Sequence, residues 1–187
     1  MKQIRPVDVT IGLIGIVAAT ASIWAISGIS GFLGAGLALL MLAIAAVDYR
    51  YLIIPNELTA AALALALINA AVTDAPSTIG SLADAGLRGL ITMSFFLALR
   101  WGYQWLRQQE GIGLGDIKLA FVAGAWLDWV MIPVAVEIAA LGALIAYGVW
   151  RMFGKQPIGP TARLPFGLFF APAIWLSWLL GAMIFAF

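Results

Sequence analysis

Apolar residues run in long blocks along almost the whole chain, broken only by short clusters of glycine, proline and charge. A bilayer crossing takes about 20 mostly apolar residues. Seven blocks qualify, some marginally: residues 9–27, 32–47, 58–72, 86–106, 117–129, 132–153 and 164–187. The breaks between them carry turn chemistry. Residues 28–31 begin and end on glycine, 73–81 hold Asp74, Pro76 and Gly80, and 154–163 hold two prolines and two glycines. The bend at 128–133 is the least marked, because its flanks are apolar. Backbone inside hydrocarbon must satisfy its own hydrogen bonds, so such blocks cross as helices. The predicted fold is an all-α integral membrane protein, a polytopic bundle of about seven transmembrane helices. Hydrophobic residues make up 64% of the chain and charged ones 10%, at a mean hydropathy of +1.04. A soluble domain of this size needs far more polar surface. No polar linker, low-complexity tract or internal repeat divides residues 1–187, which read as one domain. The first block does not read as a cleavable signal peptide, since no small-residue cleavage site fits and apolar spans follow directly.

Lysine and arginine set the orientation. With Met1 in the cytoplasm, the inner side collects Lys2, Arg5, Arg50, Arg107, Lys118, Arg151, Lys155 and Arg163. Arg100 lies on the inner half of the same span as Arg107, and the outer side keeps only Arg88. The N-terminus is therefore expected inside, with Asp48, Glu110 and Asp116 at the cytoplasmic face.

The chain has no cysteine and no histidine. That removes disulfides, thiolate metal sites, His-ligated metals and His-assisted nucleophiles. Carboxylates, Lys, Tyr, Ser and Thr remain. Charge near hydrocarbon is expensive and calls for a reason. Asp48 closes the second block in the run Asp48-Tyr49-Arg50-Tyr51-Leu52-Ile53-Ile54-Pro55-Asn56. Its bland explanation is a polar helix end, with Arg50 snorkelling to phosphate. Pro55 stops the helix, and Asn56 is expected to cap the third span. Asp116 lies in Glu110-Gly111-Ile112-Gly113-Leu114-Gly115-Asp116-Ile117-Lys118. Its bland explanation is an N-cap of the fifth span, after a connector whose alternate glycines bend sharply. Lys118 reads as an interfacial anchor. Glu137, inside the outer end of the sixth span, reads as a structural group, protonated, paired with Asn69 or a hydroxyl, or close to the outer interface. Pro165 and Gly167 are expected to break or strain the start of the last helix.

These segments resemble a known family. Residues 110–127 resemble the signature of the type IV prepilin peptidases, intramembrane aspartic proteases named for Gly-x-Gly-Asp. Asp48 through Leu58 resembles the family's first aspartate motif. Leu164-Pro165-Phe166-Gly167-Leu168-Phe169-Phe170-Ala171 resembles the Pro-Phe-Gly segment before its last helix. The three occur in family order over nearly the whole chain. The resemblance implies that Asp48 and Asp116 are the catalytic pair. Glu110, Gly113, Gly115, Lys118, Pro165, Phe166 and Gly167 are then supporting or substrate-binding candidates. It implies a bacterial cytoplasmic membrane and a substrate that is a prepilin or type II secretion pseudopilin, cut between a short basic leader and a hydrophobic helix. The expected partners are that substrate and the bilayer, with no nucleic acid, metal or cofactor. Many members carry an additional first span and a cysteine-rich metal-binding insert, and also methylate the new N-terminus. This chain is expected to start after that insert, at Arg5-Pro6-Val7, and methyl transfer is not assigned to it. Shorter relatives that serve Tad-type pili lack the insert too.

Two adjacent carboxylates share a proton, because both cannot ionise cheaply. One can then activate water while the other protonates the scissile carbonyl. Helix ends suggest Asp116 as base and Asp48 as acid. Two readings from other classes stay open at this point. A proton-coupled transporter also uses intramembrane carboxylates, and a non-catalytic assembly factor would tolerate their loss.

Overall fold

The computed structural model describes residues 6–73, 77–109, 111–153 and 165–185. Among these there are seven helices and no strand: α1 (Pro6–Ala25), α2 (Ile29–Tyr51), α3 (Asn56–Thr73), α4 (Thr78–Arg107), α5 (Leu114–Trp126), α6 (Met131–Phe153) and α7 (Phe166–Phe185). The all-α expectation holds. Four helices, α2, α4, α6 and α7, are long and apolar enough to cross a bilayer, and α1 and α3 contribute shorter apolar stretches.

The fifth block keeps its expected length but starts and ends three residues earlier, at Leu114–Trp126. It is a helix of 13 residues, about 20 Å long at the usual rise, against a hydrocarbon core of about 30 Å. It is also the most enclosed element. Ile117, Leu119, Ala120 and the unbroken run Val122–Trp126 are buried. Neighbours on several sides explain this, since α5 packs along α4 and also against α3 and α7. Small residues allow that approach. A Cβ on Gly124 would lie 2.5 Å from the Arg88 carbonyl oxygen of α4.

Helix α2 shows how the sequence places its aspartate. Its buried positions Gly34, Ala38, Met41, Ala45 and Asp48 recur every three or four residues, the spacing of one helical face. Asp48 thus continues the stripe that carries the core. The second block was expected to end at Val47, but the helix runs on to Tyr51, so Asp48 lies within its last turn. That stripe faces α7, and the fit is close. A Cβ on Gly34 would stand 1.8 Å from the Trp178 ring. Gly34→Ala is therefore expected to lower stability by about 1–3 kcal/mol through overpacking, read as a reduced Tm in detergent.

Several helix starts also differ from expectation. α4 begins at Thr78 because Ser77 accepts from the Gly80 N–H at 3.0 Å. Asn56 does not cap α3. The Pro55 carbonyl receives the Thr59 N–H at 3.1 Å and hydroxyl at 2.8 Å, so Pro55 holds the cap position. As expected, the helix is broken at Pro165, since α7 begins directly after it, and among the described residues at this start none has a positive φ. Pro165 precedes the first turn, where its missing N–H would be unused.

Candidate active site

Asp48, at 5% exposure, is nearly closed off from the surface. Its backbone carbonyl accepts the Leu52 N–H at 2.9 Å, and Leu52 ends α2 in the left-handed region at φ 54. This backbone is uncommon for a residue with a side chain. It turns the chain back so that Ile54 is buried beneath the loop. The Asp48 carboxylate reaches another helix: Oδ2 accepts the Leu168 N–H of α7 at 2.9 Å. Leu168 is in the first turn of α7, where backbone N–H groups have no partner within the helix.

Asp116 is half-buried. It does not cap α5, as the sequence suggested. Gly113 is the cap and Asp116 the third helical residue, and its Oδ2 accepts the Gly113 N–H at 3.3 Å. Gly113 has φ −69 and ψ 148, an ordinary extended backbone, so no special bending is used there. What counts is space. A Cβ on Gly113 would lie 3.1 Å from Asp116 Oδ2, and one on Gly115 would lie 3.0 Å from Ile54 Cβ.

Ile54 joins the three segments. It packs at Gly115, and its Cδ1 also lies 2.9 Å from where a Gly167 Cβ would be. That same Cβ would be 2.8 Å from Asp48 Oδ2. Asp48 and Gly115–Asp116 thus meet at one side chain, although no direct hydrogen bond joins the two carboxylates among the described residues. Each carboxylate accepts backbone N–H donation from a helix start. Helix ends therefore do not separate an acid from a base, because Asp48, at the end of its own helix, also meets the start of α7.

The supporting candidates fall into place unevenly. Lys118 Nζ donates to Asn56 Oδ1 at 2.7 Å, tying α5 to α3. Both line an apolar groove of about 320 Å³ between α3, α4 and α5, with Leu63, Met93 and Phe121. Phe166 stacks on Phe170 at 5.4 Å, and Phe170 stacks on Phe96 of α4 at 5.5 Å. Phe166 and half-buried Pro165 thus seat the start of α7. Glu110 lies outside the described residues. Glu137 is exposed on α6, with no hydrogen bond or ion pair of its own among the described residues. Among the described residues no group of carboxylates is arranged to hold a metal ion.

Three contributors were not singled out from the sequence: Ile54, the Leu168 N–H, and Arg100, whose guanidinium donates to the Ile112 carbonyl. Ile54 and Leu168 belong to the quoted motifs, so position was the available signal. Arg100 gave none beyond its charge.

Comparison with known proteins shows the family of the chain. The type IV leader peptidase family matches residues 35–149, more than half of the 187-residue chain. The prepilin leader peptidase/N-methyltransferase of Pectobacterium carotovorum subsp. carotovorum is 31% identical over 116 residues, covering 62% of this chain and 40% of that protein. Leader peptidase HopD of Escherichia coli is 39% identical over 95 residues, 49% of this chain and 59% of its own length. The prepilin leader peptidase/N-methyltransferase of Burkholderia pseudomallei strain 1026b is 34% identical over 140 residues, 73% of this chain and 42% of its own length. This chain thus spans about half the length of these relatives. No solved structure matches it.

Proposed function

Because this chain belongs to the type IV leader peptidase family, we propose that it is a membrane-embedded aspartic endopeptidase. Its substrates are type IV prepilins or type II secretion pseudopilins, from which it removes the short basic leader. One observation supports this reading: Ile54 packs against Gly115, the neighbour of Asp116, and against Gly167, which abuts Asp48, so one side chain links the two aspartate segments from separate helices.

The chemistry follows from that pair. Charged together, the two carboxylates repel, so they hold one proton between them and titrate as a unit. The ionised member takes a proton from water as it attacks the scissile carbonyl. The protonated member donates to the carbonyl oxygen, and then the proton passes to the leaving amine. Backbone N–H bonds from Leu168 and Gly113 hold the two carboxylates in place during this exchange. Burial of Asp48 keeps bulk water from screening the interaction. The groove beside Lys118 offers an apolar wall to a hydrophobic helix.

The site is proposed to face the cytoplasm of a bacterial inner membrane, with the N-terminus inside. Support comes from Arg50 in the last turn of α2 with Asp48, Lys118 two residues from Asp116, and Arg107 at the end of α4 before the loop to Asp116, a distribution the positive-inside rule assigns to the cytoplasm. The transporter reading loses its best residue, because Glu137 is on the outward face of α6. Methyl transfer, part of the names of two relatives, is assigned to no described residue here.

The test is cleavage by the purified full chain in detergent. A prepilin with a basic leader should yield one new N-terminus at the start of its hydrophobic helix, located by mass spectrometry. An intact prepilin after prolonged incubation with well-folded protein would reject the reading.

A further inference from the structure

The Gly-x-Gly-Asp loop is held from outside its own segment. Arg100, half-buried in the final turns of α4, directs its guanidinium at the Ile112 carbonyl. The same peptide unit carries the Gly113 N–H, which donates to Asp116 Oδ2 at 3.3 Å. A trans peptide is planar, and its C=O and N–H point in opposite directions. A cation therefore sits at the oxygen end of one amide and a carboxylate at its N–H end. We propose that Arg100 is a positioning residue for Asp116, acting through the peptide bond between Ile112 and Gly113.

Two physical effects run through that amide. First, the guanidinium fixes its orientation. Gly111 and Gly113 flank Ile112 and have no side chain to resist rotation of the peptide. Without Arg100 the N–H can swing away, leaving Asp116 without its backbone donor. Second, a charged donor on the carbonyl polarises the amide and strengthens donation from its N–H, since linked hydrogen bonds reinforce one another. Lysine can restore the charge and one donor, but not the planar fork of arginine. Arg100 is 12 residues from Ile112 in sequence. By charge alone it reads as one more interfacial anchor.

The inference rests on Asp116 belonging to the proposed catalytic pair, so the experiment separates the two. Arg100→Met and Arg100→Lys are made in the full chain, and steady-state cleavage of a prepilin is measured in detergent. Arg100→Met should lose about 30-fold in kcat, within the range for a displaced catalytic group, with KM unchanged within about twofold. Arg100→Lys should recover most of that loss. Parental kcat in Arg100→Met, or a loss confined to KM, overturns the proposal. So does equal impairment of both variants accompanied by an equal fall in Tm, the pattern of a merely structural arginine. Infrared spectroscopy of protein with ¹³C-labelled aspartate reads the position without activity. Subtracting the Asp116→Asn spectrum in the same Arg100 background isolates the Asp116 band. That band should shift in Arg100→Met and return in Arg100→Lys, even if the parent protein cleaves nothing. An unshifted band overturns the proposal and leaves the peptidase reading untouched.

Discussion

Asp48→Asn and Asp116→Asn are each expected to lower kcat for leader cleavage by at least about 10³-fold, within the range for loss of general acid–base catalysis. Asparagine has nearly the shape of aspartate but cannot exchange a proton at working pH. At position 48 its side-chain oxygen can still accept the Leu168 N–H that now reaches Asp48 at 2.9 Å. At position 116 it can still accept from Gly113. The packing around Ile54 is kept, and one buried charge is removed, so Tm should hold. A loss of rate without a loss of folding isolates the chemistry. The double variant should be little worse than either single one, because two groups that act as a unit are not additive. The measurement is a cleavage time course at high enzyme concentration, with thermal unfolding in parallel. A single variant that keeps a tenth of the parental rate would remove its aspartate from the pair. Full function with both replaced would favour a non-catalytic assembly role.

Gly167→Ala should produce the second-largest effect, and by a different route. Its new Cβ would stand 2.8 Å from Asp48 Oδ2 and 2.9 Å from Ile54 Cδ1. Both distances are below normal contact. The backbone of Gly167 is in the first turn of α7, so the softer partner, the Asp48 carboxylate, must give way. Displacement by a fraction of an ångström weakens the Leu168 bond and misaligns the pair. A misplacement on this scale costs about 10²-fold in rate. Overpacking should also lower stability by about 1–3 kcal/mol. The comparison with Gly34→Ala makes this a sharp test. There the clash is with the Trp178 ring, away from Asp48. Similar losses of Tm with unequal losses of kcat, Gly167→Ala being the worse, would locate the effect at the dyad. Equal rates in the two variants would mean that Gly167 serves packing alone.

The two aspartates differ in how far the sequence revealed their setting. Asp48 falls in register with Met41 and Ala45, so its inward face is readable from helical spacing alone. Its partner is not. The Leu168 N–H is 120 residues away, and nothing local to Asp48 predicts that α7 begins there. For Asp116 the local reading placed the helix start three residues late. The reason is that Gly113, with no side chain to cap, still adopted the cap backbone. Asn56 shows the opposite error. It has a good capping side chain, but Lys118 takes its oxygen and the Pro55 carbonyl starts the helix. In each case a competitor from elsewhere in the fold outweighed a local preference of about 1 kcal/mol.

Composition and the spacing of apolar blocks determined that this chain is helical and lies in a membrane, because both depend on burying side chains and on pairing backbone groups within one segment. The motifs determined which carboxylates to watch. Tertiary packing decided the rest. It enclosed the short helix α5 among α3, α4 and α7. It put Ile54 against both Gly115 and Gly167, and it led Arg100 to the loop that carries Asp116. Such contacts arise where small residues let particular helix faces approach, and the fit between distant surfaces is not a property of any one segment.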